Sequence, residues 1–496
     1  MLTTADTLIK WETSAIPYLH PIMSNRKQSI LELSDHLAPE REKWINRNSY
    51  YYDCDYAYMR FLIPEGLRVL DLGCGTGHLL AVLKPSYGLG IDFSKPMITE
   101  AQKLHPSLDF RVGDVEDADF IQTITGPFDV IIMSDTIGSL DDCQTALESL
   151  HCLCTPDTRL VISYYSRMWD PFLRIAKLLG LQMPQIQQNT LSTEDIGNLL
   201  DLAHFQLIKR EWRQLIPRRL LGIGSFFNRF IATMPIIRRM CLRNYLVARS
   251  VKRCQKSELS ATVLIPCRNE RGNIEAAVQR IPQFCKDIEI LFVEGHSSDD
   301  TLAEIVRVKA AYPHLDIKFT VQDGKGKGDA VRKGFELARG NVLMILDADL
   351  TMPPEALPKF YNALVSGKGE FINGSRLIYP MDKDAMRFLN MLANSTFSWL
   401  FSWLLNQRFT DTLCGTKVLI KRHYNQIASN RSYFGEFDPF GDFDLIFGAA
   451  KLGLKIVEIP ITYASRTYGV TQISRFSHGW LLLKMVVFAF NKLKAF

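Results

Sequence analysis

The apolar run NVLMILDAD ends in two carboxylates one residue apart, Asp347 and Asp349. On extended chain they project to one side, and two such anions repel unless a cation joins them. Hard oxygen donors suit Mg²⁺ or Mn²⁺, and diphosphate oxygens can fill the remaining coordination positions. A second chemistry is written nearer the start. The run VLDLGCGTG carries Asp71, Gly73, Gly75 and Gly77 from a strand into a helix. Glycine there lets the backbone approach a ligand, and the helix start offers unpaired N–H groups. Asp92 follows Gly73 by nineteen residues and closes the next strand, where a carboxylate accepts hydrogen bonds from a ribose diol. Asp114 and Val115 end a third strand, a place for an acid to receive an adenine amino group. Asp135 and His78 are candidate bases beside that site, and each reads equally well as a solvated or capping residue.

These residues need two scaffolds, and a chain of 496 residues has room for two or three domains at roughly 100–200 residues each. Between about 67 and 166, RVLDLG, YGLGIDF, DFRVGD, FDVIIMS and RLVISYY are short apolar runs separated by helix-length stretches. That is the pattern of parallel strands with crossover helices. A helix at 192–202 and strands at 205–215 and 244–251 follow. From Ala261, ATVLIPC, IEILFVEG, DIKFTVQ and NVLMILDAD form a second such series. The charged stretch 250–259 between them reads as a linker. The fold class is therefore α/β with two domains, 1–253 and 259–496.

Apolar residues make up 47% and charged residues 22%, which excludes disordered, collagenous and coiled-coil chains. The net charge of +5 is unevenly placed: 207–256 holds 13 Lys or Arg against the single acid Glu211. Such a stretch calls for an anionic partner or surface. The ten cysteines show no zinc spacing and read as free thiols. The start lacks the pattern of a secretory signal, and no apolar run reaches the ~18 residues of a spanning helix. The expectation is a cytoplasmic protein with peripheral contact at the inner face of the membrane, and no nucleic-acid partner. The segment 217–241 interrupts the last strand pair of the first series with Arg218, Arg219, Arg229, Arg238 and Arg239 among Phe226, Phe227, Phe230, Ile236 and Ile237. That is the composition of an amphipathic segment lying on anionic lipid.

The run D-L-G-C-G-T-G, with its acidic second and third motifs, resembles class I S-adenosylmethionine-dependent methyltransferases over about 45–253. The resemblance implies a Rossmann-like domain in which Gly73, Gly75 and Gly77 cradle the methionine portion of the cofactor. Asp92 would bind the ribose, and Asp114 would lie near adenine. It also implies a closing helix and antiparallel strand pair. Ser134, Asp135 and Thr136 stand where such enzymes contact the methyl acceptor.

VLIPCRNE, with Pro266, Asn269 and Glu270, resembles the opening strand of family 2 glycosyltransferases of the GT-A fold. FVEGHSSDDT matches their nucleotide-binding element at Asp299, with Gly295 and His296 replacing its second acid and glycine. GKGKGDA brings Lys327 to phosphate ahead of Asp347 and Asp349. Downstream, Gly374-Ser375-Arg376, the run DTLCGTK, Phe443-Asp444 and Glu458-Ile459-Pro460 are similar to polyprenyl-phosphate sugar transferases. This implies that Pro266, Glu270, Asp299, Lys327 and Asp347 hold a nucleotide sugar. Arg376, Arg387 and Arg466 would grip acceptor or donor phosphates, as the planar guanidinium fork suits. Asp442 can alternatively be aligned with the base of members that glycosylate hydroxyls. A phosphate acceptor is already an anionic nucleophile and needs none.

The resulting expectation is a bifunctional enzyme using S-adenosylmethionine and Mg²⁺ or Mn²⁺. Its second half would transfer a sugar from a nucleotide sugar to polyprenyl phosphate with inversion. Two alternatives are a glycan hydroxyl acceptor with Asp442 as base, and a methyltransferase unit that serves only as a binding or scaffold module.

Overall fold

A computed structural model of the protein describes residues 23–186, 188–189, 191–254, 258–379, 388–433, 443–464, 466, 468 and 475–495. Two seven-stranded sheets organise them. The first contains β1 (Arg68–Leu72), β2 (Tyr87–Asp92), β3 (Asp109–Val112), β4 (Val130–Ser134), β5 (Arg159–Tyr165), β6 (Phe205–Arg213) and β7 (Arg243–Ser250). Their order is β3-β2-β1-β4-β5-β7-β6, with the first five parallel and β7 antiparallel to both neighbours. Central strands covered on both faces must be apolar throughout, and Val69, Leu70, Leu72, Ile131, Ile132 and Met133 are almost wholly buried. The helix Thr193–Leu202 and the β6–β7 pair match the expected closing elements.

The second sheet contains β8 (Ala261–Cys267), β9 (Ile288–Glu294), β10 (Asp316–Val321), β11 (Val342–Ile345), β12 (Phe371–Ser375), β13 (Lys417–Ile420) and β14 (Ile456–Pro460). Its order is β10-β9-β8-β11-β13-β12-β14. β8 to β11 run parallel, β13 is antiparallel to β11 and β12, and β14 is parallel to β12. The last three strands carry Ser375, Lys417 and Glu458. Sequence patterning read those residues as motifs and not as strands, because the runs are short and interrupted.

Three helices precede β1: Asn25–Leu37, Arg41–Arg47 and Ser49–Leu62. The segment between β6 and β7 folds into helical turns at Leu220–Gly222, Ile223–Phe226, Phe227–Ile231 and Ile237–Met240. Two of its five arginines bond protein groups, the exposed Arg229 and the half-buried Arg238. Arg229 Nε donates to the Ala495 carbonyl at 2.8 Å, and Arg238 Nη1 to Asn406 at 2.9 Å. Phe230 stacks on Phe490. Further along the basic stretch, Arg213, Arg243 and Arg249 are buried with partners inside the protein. The call for an external anionic partner therefore applies to fewer charges than their number in the sequence.

The two sheets are tied by buried polar contacts. Lys494, from the end of the chain, meets Glu211 of β6 at 2.8 Å, and Arg213 donates to the Lys494 and Leu493 carbonyls. Arg159 of β5 bonds Glu370 at 2.8 Å and the Gly453 carbonyl at 3.0 Å. No described helix is long and apolar enough to cross a membrane, and all ten cysteines are free.

Candidate active sites

The carboxyl ends of β1, β2 and β4 open on a cavity of about 230 Å³. Its lining includes Asp71, Gly73, Gly75, Asp92, Asp114, Val115 and Asp135, so the structure gathers these sequence-predicted residues in one place. The glycine loop has left-handed backbone at Gly73, Gly75 and Gly77. A Cβ on Gly73 would lie 2.2 Å from Thr136 Oγ1, and one on Gly75 would meet the Arg41 guanidinium at 2.9 Å. Side chains are excluded there, and the backbone itself forms the cradle. Gly77 stands apart from the lining: it precedes the helix His78–Leu83 and packs against Phe110.

Asp92 is fixed by two backbone donors, Gly75 N at 2.9 Å and Ser94 N at 3.0 Å. Burial nonetheless keeps its pKa above the usual carboxylate range. Asp71 is more extreme. It is 1% exposed, and its Oδ1 has no hydrogen-bond partner among the described residues. Burial and the neighbouring Asp92 push its pKa up to about 7 against the pull of Arg41. A buried carboxylate without a partner beside a glycine cradle suits a ligand carrying an ammonium group and needing close backbone approach. The donor set thus fits the methionine end of S-adenosylmethionine.

Asp114 is held by Lys27 at 2.5 Å, and that ammonium also meets Glu116 at 2.5 Å. Asp135 has left-handed backbone, at φ 60°, and accepts from Arg243. Burial raises its pKa although Arg243 opposes the shift. Arg243 also donates to Asp55 at 3.1 Å and Ser163 at 3.0 Å. Its guanidinium lies 5.1 Å from the Tyr165 ring centre, a buried and fully engaged cation. His78, the other candidate base, bonds Glu42 at 2.6 Å. Sequence reasoning missed Lys27, Arg41, Tyr52, Asp55 and Tyr56, which reach the cavity from the helices before β1. No local pattern marks them, because only docking of those helices brings them to the loop.

In the second sheet the same strand ends converge. Asp347 meets Lys327 at 2.6 Å. Burial would raise the Asp347 pKa, but Lys327 overrides it and holds the carboxyl low. A Cβ on Gly415 would lie 1.9 Å from Asp347 Oδ2, so this approach demands glycine. Asp349 meets Arg466 Nη2 at 2.5 Å, and the same guanidinium lies 3.6 Å from Glu270. Thr351 Oγ1 donates to Asp349 at 2.8 Å. Glu270 accepts from Asn273 at 2.6 Å, while burial keeps its pKa raised. Asp299 accepts from the Thr301 N–H at 3.0 Å and so shapes the loop after β9. Pro266 is the last residue but one of β8 and pairs with Val293. Gly295 and His296 follow β9, the latter with φ 56°.

Arg376 differs from the expectation of a phosphate-gripping fork. Its Nε and Nη2 already bond Asp411 at 2.6 and 2.8 Å, and that bidentate pairing uses the geometry a phosphate would need. Arg387 and Asp442 lie outside the described residues. The pair Asp347 and Asp349 supplies hard oxygens for a divalent cation, and Lys327 and Arg466 currently neutralise them. Among the described residues, Asp157, Glu370 and His423 also come within 4.8 Å of one another. Arg159 and Arg422 already pair with the two carboxylates, at 2.8 Å each, so that group serves the junction between the sheets.

Residues 42–216 match the family model of a methyltransferase domain, and residues 262–428 match that of glycosyl transferase family 2. Over 221 residues the chain is 36% identical to a dolichol-phosphate mannosyltransferase of Pyrococcus furiosus, covering 43% of this chain and 59% of that protein. Over 218 residues it is 28% identical to a polyprenol monophosphomannose synthase of Mycolicibacterium smegmatis, covering 43% of this chain and 80% of the relative. The chain thus spans little more than half the length of the first of these relatives. A solved SAM-dependent methyltransferase of Thermotoga maritima aligns with 44% of this chain and 99% of its own, at 19% identity and a TM-score of 0.35.

Proposed function

Since the chain joins a methyltransferase domain to a family 2 glycosyl transferase domain, we propose that it is a bifunctional enzyme. Residues 1–253 transfer a methyl group from S-adenosylmethionine. Residues 259–496 transfer a sugar, with inversion, from a nucleotide sugar to polyprenyl phosphate. The protein works in the cytoplasm at the membrane face where that acceptor lies.

The observation that carries the sugar-transfer reading is the paired arrangement of Asp347 with Lys327 and Asp349 with Arg466. Bound Mg²⁺ or Mn²⁺, held by the two aspartates, would neutralise charge on the leaving diphosphate. With the two aspartates engaged in that way, Lys327 and Arg466 would be placed to meet phosphate oxygens. Glu270 and Asp299 shape the loops around the nucleotide, and Pro266 sets the turn at the strand end. Arg376 acts through Asp411 as a positioning residue, and Arg387 remains a proposed phosphate ligand. A phosphate acceptor attacks without a base, so Asp442 has no proton to take.

On the methyltransferase side, Asp71 receives the cofactor's ammonium, Asp92 its ribose and Asp114 with Val115 its adenine. The bound sulfonium supplies the methyl group. Asp135, kept in place by Arg243, faces the acceptor, and positioning more than proton transfer drives this reaction.

Incubation with radiolabelled nucleotide sugars and polyprenyl phosphate tests the sugar-transfer reading. Chelation should stop turnover and Mg²⁺ or Mn²⁺ restore it, while Asp442→Asn keeps most activity. A loss of roughly a thousandfold in that variant, the scale of general-base removal, would move the acceptor to a hydroxyl.

A further inference from the structure

The helix Asp170–Leu178 presents its apolar side to water. None of its residues is buried, and Phe172, Ile175, Leu178 and the following Leu179 are all exposed, Leu178 at 86%. Spacing of three and four places them on one face. A helix of a globular protein ordinarily turns that face to the core. Trp169 Nε1 donates to the Met240 carbonyl at 2.8 Å, which sets this helix beside the segment between β6 and β7. There Leu220, Leu221 and Gly222 have φ of 44°, 55° and 96°. Two leucines in a left-handed backbone are conformationally costly. Gly222 and Gly224 both donate to the Arg219 carbonyl, at 2.9 and 3.1 Å, and close the turn. The result is a projecting knuckle with Leu221 fully exposed and Leu220, Ile223 and Phe226 beside it.

The charge around these side chains is predominantly positive. Arg167, Arg174, Lys177, Arg218, Arg219 and Arg239 are exposed, and the half-buried Asp170 is the only acid in 167–181 and 217–241. We propose that the helix Asp170–Leu178 and the 220–226 knuckle together form a lipid-facing surface that seats the methyltransferase domain on an anionic bilayer. A bilayer accepts protruding apolar tips into its headgroup and acyl boundary while its anionic headgroups pair with flanking cations. A convex tip offers little contact area to a folded protein.

The surface continues into the site. After the helix, Met183, Pro184, Gln185, Ile186 and Gln188 line the cavity. Lys177 Nζ donates to the Gln185 carbonyl at 2.8 Å, and Asn189 N to Gly138 at 2.7 Å. The lipid-facing helix and the cavity wall are thus one pinned segment. Docking there brings the acceptor side of the methyltransferase cavity to the headgroup layer. This deepens the membrane placement given above and adds contacts from the half of the chain that does not transfer sugar.

The test is co-sedimentation of the full chain with phosphatidylcholine vesicles, with and without phosphatidylglycerol. No nucleotide sugar or polyprenyl phosphate is present, so failure of this surface is separate from failure of the sugar-transfer reading. The double variant Leu178→Glu, Leu221→Glu changes two solvent-facing side chains. It should weaken partitioning onto the anionic vesicles at least about tenfold with unchanged S-adenosylmethionine affinity. Val306→Glu, at an exposed apolar position of the helix Thr301–Ala311, should bind as the wild type does. Equal sedimentation of the double variant and the wild type overturns the proposal, as does a wild type that ignores anionic vesicles. A concentration-dependent dimer that the double variant abolishes, without vesicle binding, would overturn it in favour of a second copy of the chain.

Discussion

Replacing Asp71 by Asn should stabilise the ligand-free protein while weakening its cofactor. The carboxyl has an ordinary value of 3.8 and stands at about 7 in the fold, so the native state favours its protonated form. For an acid raised in this way, the stability contribution is fully present below the unfolded pKa and is lost as pH rises through the folded one. At pH 8 the ionised Asp71 therefore costs about 4 kcal/mol relative to a neutral group, from roughly three pKa units at 1.36 kcal/mol each. Asn is nearly isosteric and cannot ionise. Chemical denaturation of the ligand-free protein at pH 8 should show the variant gaining a substantial part of that amount, with the gap closing towards pH 4. Calorimetric titration with S-adenosylmethionine should move the other way. Loss of a charge-assisted bond to its ammonium is worth about 1.5–3 kcal/mol, roughly ten- to a hundredfold in affinity. Wild-type affinity should also fall by up to about tenfold per unit below pH 7, since binding must expel the proton. The Asn variant should lack that component. A variant less stable than the wild type at pH 8, or parallel pH profiles of cofactor affinity, would refute the reasoning.

Asp349→Asn should abolish glycosyl transfer and leave S-adenosylmethionine affinity unchanged, while Asp92→Ala should do the reverse; a tenfold loss of cofactor affinity in Asp349→Asn would show that the sites are coupled. Glu211→Gln should destabilise the chain by about 3–5 kcal/mol in chemical denaturation, because it removes the counter-ion of the buried Lys494 ammonium and leaves only neutral partners such as Asn406. An effect under 1 kcal/mol would mean that the pair is already hydrated.

The glycine loop, Asp92 and the Asp347–Asp349 pair were legible because each is a local device: residue types at short spacing at the end of an apolar strand. The central strands β1, β2, β4, β5, β8, β9 and β11 were legible because burial on both faces writes continuous apolar runs. By contrast, β3, β6 and β10 are only partly buried and were read from shorter apolar stretches. What escaped depends on chain folding back from a distance. Lys27 and Arg41 belong to helices with no recognisable pattern, yet they reach the cavity. Arg243 looked like one cation of a basic stretch awaiting an external anion. Its place on the antiparallel β7, beside β5, instead points it at Asp55 and Asp135. The docking of Lys494 onto β6 was equally invisible, since the residues are 283 apart in sequence. A separable pair of sites is compatible with this junction, but each half also contributes buried partners to the other.

Backbone strain sorts the molecule in a way that sequence could not. Among non-glycine residues with left-handed φ, Lys84, His204 and Asn406 follow helix ends, where such a residue closes the last turn and needs no further cause. Asp135, Asn269, His296 and Leu350 instead follow β4, β8, β9 and β11. Those are the carboxyl ends of parallel strands, where open α/β sheets place their ligands. Each needs surroundings that over-determine it: Arg243 holds Asp135, and Ser297 Oγ and the Ser298 N–H hold the backbone and side chain of Asn269. Leu220 and Leu221 fit neither group. They cap no long helix and end no strand, and their turn is closed by glycines that leave the side chains in solvent. Inside the fold the turn is supported by the Gly222 and Gly224 N–H groups on the Arg219 carbonyl and by the close approach of Gly224 to the Arg218 carbonyl. On the lipid-facing surface proposed above, insertion of this apolar tip among headgroups paired with the flanking arginines would add to that support.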